Sequence, residues 1–290
     1  MDIPDPPTLD LAKSFTLAEL GKLHGLFSMS EKDYRAAPGL NQSTLKAILK
    51  SPATYKQALQ WESVETKTSK ALEFGQLVHI MLLEGQHAFD HVAVEAPDVH
   101  HSTKIYKKAK KEAEEANKIM VSKLDMQKIR GIQESAEKDP IVPFYLREGV
   151  SECVAFSSRN NILRKGKIDY INFTAKTLID IKTTSNADQD DFTRSARRYR
   201  YDIQAAWYLD LVNEAVAGSD WRAEKFLIFA VEKSPPYLWN YFCVPQRDLD
   251  NARMIYEEMI FAQQRCEKSG CWPGFPQTLK PLNFGFKEDS

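Results

Sequence analysis

The chain has 290 residues, of which 43% are hydrophobic and 27% charged, and its formal net charge is -1. These values are typical of a globular protein with a sizeable core, and they exclude a uniformly basic nucleic-acid coat while leaving room for a local positive surface. No apolar run approaches the roughly 20 residues of a membrane span. The acidic, proline-rich start MDIPDPPTLD lacks the basic-then-apolar order of a signal peptide. We therefore expect a cytoplasmic protein with no membrane partner.

The chain divides into an N-terminal extension, residues 1–28, and a single domain, residues 29–290. Little patterning marks the extension apart from a short helix predicted over Phe15–Leu23. Within the domain, residues 29–148 predict a leading helical region. Residues 149–275 predict the catalytic core, because β-rich segments begin there.

The leading region carries several helix signals. Ser30 is a suitable N-cap for one helix and either Asn41 or Ser43 for the next, and Pro52 fits the first turn of a further helix. Lys70–Glu84 predicts one buried helix, and Thr103–Lys138 predicts a long helical stretch. The charges of that stretch are compatible with a DNA-facing strip, but a solvated face with Lys–Glu pairs explains them better. The buried face predicted for Lys70–Glu84 comprises Leu72, Gln76, His79, Ile80 and Leu83.

From residue 149 onward the sequence is rich in strand-forming residues. VSECVAF, ILRKGKIDYINF and KTLIDIKTT predict a three-stranded meander, with turns at SSRNN and TA. A helix from about Gln189 to Ala217 follows, then a strand pair, FLIFAVE and YLWNYFCV, and a last helix over roughly Arg247–Lys268. This order predicts the α/β (α+β) class, with a central mixed β-sheet flanked by helices.

Three ionisable residues lie on neighbouring predicted strands: Asp169 on one, Asp180 and Lys182 on the next. Residues two apart on a strand point to the same face, so Asp180 and Lys182 share a face and Asp169 lies alongside. Taken alone, Asp180 and Lys182 are more typical of a salt bridge. Two close carboxylates, however, repel each other, and a hard cation such as Mg²⁺ relieves that repulsion.

Further polar residues are predicted to converge on the same place. Glu152 lies on the adjacent strand VSECVAF, and Gln204 and Tyr208 are four apart on one helical face, close to Asp202. His79 sits in the apolar helix GQLVHIMLLEG, where a lone histidine is more often a core residue. A salt bridge does not need so many polar partners, so the set favours a functional site.

These elements together resemble a nuclease family. The ordered motifs GxxxH (Gly75–His79), Glu152, GKIDYI, IDIKT and YDIQAAWY resemble the PD-(D/E)xK nucleases of the RecB and exonuclease VIII branch. The segment NQSTLKAILKSPATYK also resembles the leading helices of exonuclease VIII-like phage proteins. The resemblance covers roughly residues 29–275 and implies a restriction-endonuclease-like core. Asp180 stands where other members carry Glu, which the family allows.

The resemblance implies a role for each matched residue and Mg²⁺ as cofactor, with Mn²⁺ able to substitute. Lys182 is expected to position the attacking water or help to deprotonate it. The catalytic residues implied are Lys182, Asp169, Asp180, Glu152, His79, Gln204 and Tyr208. The metal ligands implied are Asp169, Asp180, Glu152, His79 and the backbone carbonyl of Ile181.

A basic, aromatic run, RSARRYR, directly precedes the Gln204 helix. Arginine binds phosphate bidentately, and Tyr199 and Tyr201 are suited to stack on bases. The favoured interpretation is therefore that this run contacts DNA. A face paired with the nearby aspartates is the alternative. The predicted DNA-binding residues are Arg194, Arg197, Arg198, Arg200, Lys165 and Lys167.

The function implied by the resemblance is digestion of double-stranded DNA ends in the 5′-to-3′ direction. It would leave 3′ single strands for a single-strand-annealing partner in phage-type recombination or repair. A tetrameric ring is the homo-oligomer that the resemblance implies. The alternatives are a structure-specific or single-strand endonuclease, and a catalytically idle DNA-binding scaffold. The four cysteines lack the closely spaced trio of iron–sulfur relatives, so no cluster is expected.

Overall fold

The central element is a mixed β-sheet. The computed structural model describes residues 10–11, 24–62 and 69–279, and within them a seven-stranded sheet has the order β1-β2-β5-β6-β7-β8-β9. Strands β1 and β2 are parallel, as are β7 and β8, and the other neighbours are antiparallel. The strands are β1 (Asp10–Leu11), β2 (Gly25–Ser28), β3 (Ala93–Glu95), β4 (Ile119–Val121), β5 (Gly149–Arg159), β6 (Ile162–Asn172), β7 (Thr177–Thr184), β8 (Lys225–Glu232) and β9 (Trp239–Cys243).

Helices cover both faces of this sheet. Among them are a 3-10 turn, Lys46–Leu49, and a π-helical segment, Ile80–Glu84. The described helices are α1 (Glu31–Ala36), α2 (Gln42–Leu45), α3 (Pro52–Glu62), α4 (Lys70–His79), α5 (Gly85–Val92), α6 (Lys104–Glu115), α7 (Lys123–Lys138), α8 (Val142–Tyr145), α9 (Gln189–Tyr199), α10 (Tyr201–Ala215) and α11 (Gln246–Ser269). The predicted α/β class with a central mixed sheet and flanking helices is confirmed.

The core forms because the inner strands are apolar on both faces. On one face, Leu178 and Ile228 pack under α10 and α11. On the other, Ile181 and Phe229 pack against Val142 of α8. Removal of this apolar surface from water stabilises the layers. The predicted meander is present as β5-β6-β7, and the strand pair after α10 is β8-β9.

Helix α10 crosses the sheet closely because a glycine lies beneath it. A Cβ built on Gly166 would come within 2.8 Å of the Tyr208 and Leu211 side chains. Trp207, Ile203 and Leu211 of α10 are fully buried. The glycine in GKID therefore sets how near α10, and with it Gln204, can approach the strands.

Several predicted boundaries were wrong. Gly25–Ser28, assigned by sequence to the extension, forms β2 and pairs with β5, so the sheet begins before residue 29. Thr103–Lys138 is interrupted by β4, which pairs with β3 in a separate two-stranded sheet. The helix predicted from Gln189 onward breaks at Arg200, which has a left-handed φ of 54°. The helix predicted over Phe15–Leu23 lies outside the described residues.

The face predicted for Lys70–Glu84 was also wrong. Leu72 is 57% exposed, whereas Phe74, Leu77, Val78 and Met81 are buried. The buried residues are spaced i, i+3, i+4 and i+7 from Phe74 to Met81, so the helical period was right and the wrong face was assigned to the core. The α-helix also ends at His79, where a π-helical turn follows.

The charged helix α6 carries three i,i+4 ion pairs on its exposed surface. These contacts match the solvated-face interpretation of its Lys–Glu run. Within the described part of the chain, no helix is both long and apolar enough to cross a membrane.

Candidate active site

The site lies where β6 and β7 separate. Their ladder joins Tyr170–Asn172 to Thr177–Ile179 and ends there. Just beyond it, Asp169 Oδ2 accepts the backbone N–H of Ile181 at 2.9 Å. A carboxylate thus occupies the place of a strand carbonyl, which opens the sheet and still satisfies a backbone donor.

Asp180 and Lys182 lie on the same face of β7, as their spacing predicts. Lys182 Nζ is 2.9 Å from Asp180 Oδ1 and 2.7 Å from Oδ2. Gln204 Nε2 donates to Asp180 Oδ1 at 2.5 Å. The Asp180 side chain is only 3% exposed, and its Oδ2 is in ion-pair contact with the Lys182 ammonium. The positive charge of Lys182 therefore offsets the cost of burying this carboxylate.

His79 reaches the same place from α4. Its Nε2 is 2.7 Å from the carbonyl oxygen of Ile181, and its Nδ1 is 3.6 Å from Asp169 Oδ2. A carbonyl only accepts hydrogen bonds, so Nε2 carries a proton toward Ile181, and Nδ1 faces Asp169. Gly75, one turn earlier, is near Thr183 of β7, so both ends of the GxxxH motif face that strand.

Three potential ligand atoms come together at the open end of β6. Those of His79, Glu152 and Asp169 lie within 4.8 Å of one another, and within the described ranges this is the sole group of three His, Cys, Asp or Glu residues so arranged. Glu152 has a left-handed φ of 51° inside β5, a strained conformation for a non-glycine residue. The set of two carboxylates and one imidazole fits a divalent cation, with Asp180 beside it.

The electrostatics of the site reflect its burial. Burial raises the pKa of Asp169 to about 6, and Asp180 adds to the shift while His79 and Lys182 oppose it. Burial lowers the pKa of Lys182, but Asp180 and Asp169 raise it more, so its net shift is upward. Lys182 therefore remains a cation at neutral pH and cannot act as a base before the charge around it changes.

A second lysine belongs to the site and was missed from the sequence. Lys46, in the 3-10 turn, donates from Nζ to the carbonyl of Tyr199 at 3.0 Å. Burial lowers its pKa to about 8, with Lys182 lowering it further and Asp180 opposing. None of the ion pairs within the described chain includes Lys46. Its segment, NQSTLKAILK, is part of the family resemblance. Lys46 precedes Asp180 by 134 positions in the sequence, so only the fold brings the two residues to one site.

Tyr208 occupies a different place from Gln204. Its ring packs above Gly166 and against Phe226, and Gln42 hydrogen bonds to it. Burial raises its pKa well above the ordinary value. Of the predicted QxxxY pair, Gln204 contacts the Asp180 carboxylate, and Tyr208 supports the helix that carries Gln204.

The four predicted DNA-binding arginines differ in whether an aspartate pairs with them. Arg197 and Arg198 are exposed, whereas Arg194 pairs with Asp191 and Arg200 binds Asp202 through two nitrogens. Aspartate pairing, the alternative for this run, therefore holds for two of the four arginines.

The prediction for Lys165 was wrong. It is 3% exposed, and its Nζ donates to the carbonyls of Tyr34 and Ala37, so it secures the segment after β2 and cannot reach DNA. Lys167 is bound by Glu152 at 2.5 Å and by Glu31 at 3.2 Å. Lys167 therefore neutralises the carboxylates of Glu152 and Glu31.

The comparisons with known proteins agree with this geometry. Residues 41–277 match a family described as a PDDEXK-like domain of unknown function (DUF3799). A crystal structure of a candidate exonuclease from Eubacterium rectale aligns with a TM-score of 0.61 and 16% identity, covering 88% of this chain and 96% of that one. At this identity the likeness shows the fold.

A second solved structure is more distant. A phage-related exonuclease from Haemophilus somnus 129PT aligns with a TM-score of 0.34 and 15% identity over 67% of this chain and 93% of that one. A score this low supports no structural argument. No curated protein matches the chain.

Proposed function

Because the chain belongs to the PDDEXK-like domain family, whose fold is that of nucleases, we propose that it is a Mg²⁺-dependent exonuclease acting on double-stranded DNA. The observation that carries the proposal is the convergence of Asp169, Asp180 and Lys182 at the split between β6 and β7. A salt bridge alone does not require a strand pair to open.

The residues divide the chemical work among them. Asp169, Glu152 and His79 would hold a divalent cation, with Asp180 and the Ile181 carbonyl beside it. Such a cation, when bound, neutralises charge on the phosphate and activates water. Lys182, kept protonated by the two aspartates, places a positive charge beside the phosphate as negative charge develops there. Gln204 and Lys182 both hold the Asp180 carboxylate in one orientation.

Lys46 adds a second positive charge close to Lys182. A partly buried ammonium with no carboxylate in ion-pair contact within the described chain is suited to receive an anion. A DNA phosphate next to the scissile one is the anion that the proposed reaction brings there. Arg197 and Arg198 provide exposed positive charge at the end of α9.

The finer features of the proposal rest on the family resemblance. They are 5′-to-3′ polarity, 3′ single-stranded products passed to an annealing partner, and assembly of copies into a ring around DNA. A basic inner surface of such a ring is compatible with the net charge of -1, because charge distribution and not the total decides DNA binding.

The test is digestion of linear duplex DNA labelled at the 5′ or the 3′ end, with a covalently closed circle in parallel, with and without Mg²⁺. We expect release of the 5′ label from the linear DNA, an intact circle, and no activity in EDTA. Asp180→Asn and Lys182→Met are expected to lower kcat by roughly 100-fold or more, as is common when charge stabilisation of a transition state is removed.

Matched surface variants, Asp220→Asn and Lys268→Met, control for loss of charge at exposed positions. Cutting of the circle would indicate an endonuclease on the same fold. DNA binding without nucleotide release in Mg²⁺ or Mn²⁺ would contradict the proposal and favour an idle scaffold.

A further inference from the structure

A cavity of about 530 Å³ lies between α9, the start of α10, β9 and the start of α11. We propose that it binds one nucleotide of the DNA strand held at the catalytic site, an inference that rests on the proposed function. The residues that matter are Phe192, Arg197, Tyr201, Phe242, Asp248 and Asn251. The volume is within the range of pockets that enclose small ligands.

A row of aromatic rings runs from Phe242 through the buried Phe192 to Tyr201 in the wall of this cavity, and on to Tyr199 outside it. Phe192 and Phe242 are stacked with centroids 4.7 Å apart and an interplanar angle of 11°. Tyr201 is 6.1 Å from Phe192, and Tyr199 is 5.9 Å from Tyr201. Stacking on aromatic side chains is how proteins hold bases of single strands without reading sequence. The row therefore favours a ligand with a flat aromatic ring.

The charges of the cavity fit one phosphate and one base of a bound strand. Arg200 and Asp202 neutralise each other, whereas Arg197 is exposed and takes part in no ion pair of the described chain. Asp248 and Asn251 also line the cavity. A phosphate at Arg197, with a neutral base edge toward Asp248 and Asn251, matches this arrangement.

The cavity shares a wall with the catalytic site. Lys182 Nζ lies 5.2 Å from the centre of the Tyr201 ring, and Tyr201 also lines the cavity. Arg200, in its left-handed conformation, places Tyr199 and Tyr201 on either side of the break between α9 and α10. A nucleotide in the cavity would thus neighbour the phosphate at Lys182, where it would fix the position of the strand.

The proposal predicts direct binding of a free deoxynucleoside 5′-monophosphate. Calorimetric titration of dAMP into wild-type protein in EDTA measures it without any nuclease reaction. Arg197→Ala should raise the Kd at least tenfold, and Phe242→Leu, which keeps an apolar side chain but removes the ring, should also raise it. Arg265→Ala, an exposed arginine on α11, should leave it unchanged.

Two simpler ligands test the two halves of the site. Deoxyadenosine and inorganic phosphate should each bind at least tenfold more weakly than dAMP. Equal binding of phosphate would show an anion site only and overturn the proposal. Melting temperatures of the variants establish that they are folded, and Arg197→Ala, on an exposed helix surface, keeps the test valid if Phe242→Leu is unstable.

Steady-state digestion separates this proposal from the proposed function. With active enzyme, Arg197→Ala should raise the KM for DNA by about tenfold while kcat changes little. Binding of dAMP by a protein without nuclease activity would sink the proposed function and leave the nucleotide site standing. Normal nuclease activity with no dAMP binding and an unchanged KM would overturn the nucleotide site alone.

Discussion

At the scale of single residues, Asp169 combines two requirements that oppose each other. Its Oδ2 receives the Ile181 N–H, which stabilises the open end of the sheet, yet burial raises its pKa to about 6. In the folded protein without metal, ionisation of this carboxyl is therefore less favourable than in the unfolded chain. A bound cation removes that disadvantage, so we expect the site to be destabilising when empty of metal and stabilising when loaded.

The sign of the pH dependence follows. Between the ordinary pKa of 3.8 and the folded value of about 6, the folded protein binds more protons at Asp169 than the unfolded chain does. The free energy of unfolding of the metal-free protein therefore falls as pH rises through this window, by at most about 3 kcal/mol. Asp169→Asn keeps an oxygen for the Ile181 N–H and removes the charge.

We expect metal-free Asp169→Asn to melt at a higher temperature than wild type at pH 8, with little difference near pH 4. Differential scanning calorimetry in EDTA measures this, and Asp220→Asn is the exposed control. Addition of Mg²⁺ should raise the melting temperature of wild type and not that of Asp169→Asn. If Asp169→Asn is less stable than wild type at pH 8, the favourable contacts of the carboxylate outweigh the free-energy cost of burying its charge.

At the scale of elements, the contact between α10 and β6 decides where Gln204 lies. The helix carries fully buried Trp207 and Leu211, and its approach depends on the missing side chain of Gly166. Behind α10, Asp210 is held by Arg253 and Tyr256 of α11, so the two helices form one layer. The position of the Gln204 amide is thus set by packing several residues away from it.

Gly166→Ala should separate helix and strand. The new methyl group would lie 2.8 Å from the Tyr208 and Leu211 side chains, and overpacking of this kind costs about 1–3 kcal/mol. Urea denaturation should show that loss, and kcat should fall because Gln204 moves away from Asp180. Gly218→Ala, where nothing lies within 4 Å, is the matched control. Unchanged stability would mean that α10 shifts without cost.

At the scale of the whole molecule, the sheet begins in the segment first assigned to an extension. Strand β2 lies between β1 and β5, and its Leu26 and Phe27 are buried. Phe27 meets Phe156 of β5 edge to face at 5.9 Å. The segment after β2 is then secured by the buried Lys165, on the same strand as Asp169. The N-terminal residues thus support the strand that carries the site.

Two truncations distinguish this role from that of a dispensable arm. Removal of residues 1–23 keeps β2, whereas removal of residues 1–28 deletes it together with two buried side chains. Burial of one such side chain contributes about 1.5–3 kcal/mol, so the longer deletion should lower the free energy of unfolding by several kcal/mol more than the shorter one. Chemical denaturation of both proteins measures the difference. Equal stability would place β2 outside the cooperative fold.

The local sequence pattern was sufficient to predict the core strands and the side chains that share a face on them. The meander, the strand pair β8-β9 and the shared face of Asp180 and Lys182 follow from a two-residue period and short turns, which are local properties. The fold class followed from the order of these elements. Helix boundaries around Glu84 and Arg200 did not, because a π-helical turn and a left-handed residue break the regular period.

Only the tertiary structure decided which residues share the site and which do not. Lys46, 134 positions before Asp180, joins the site because the leading helices fold across the sheet. Lys165 lies two residues from Lys167 and four from Asp169 in the sequence. It does not belong to the site, because its ammonium is buried against two backbone carbonyls. The sequence by itself determined which residues lie on one strand, since alternation is a property of the backbone. The partner of each charged side chain was decided by long-range packing, because burial and distance across elements set its energy.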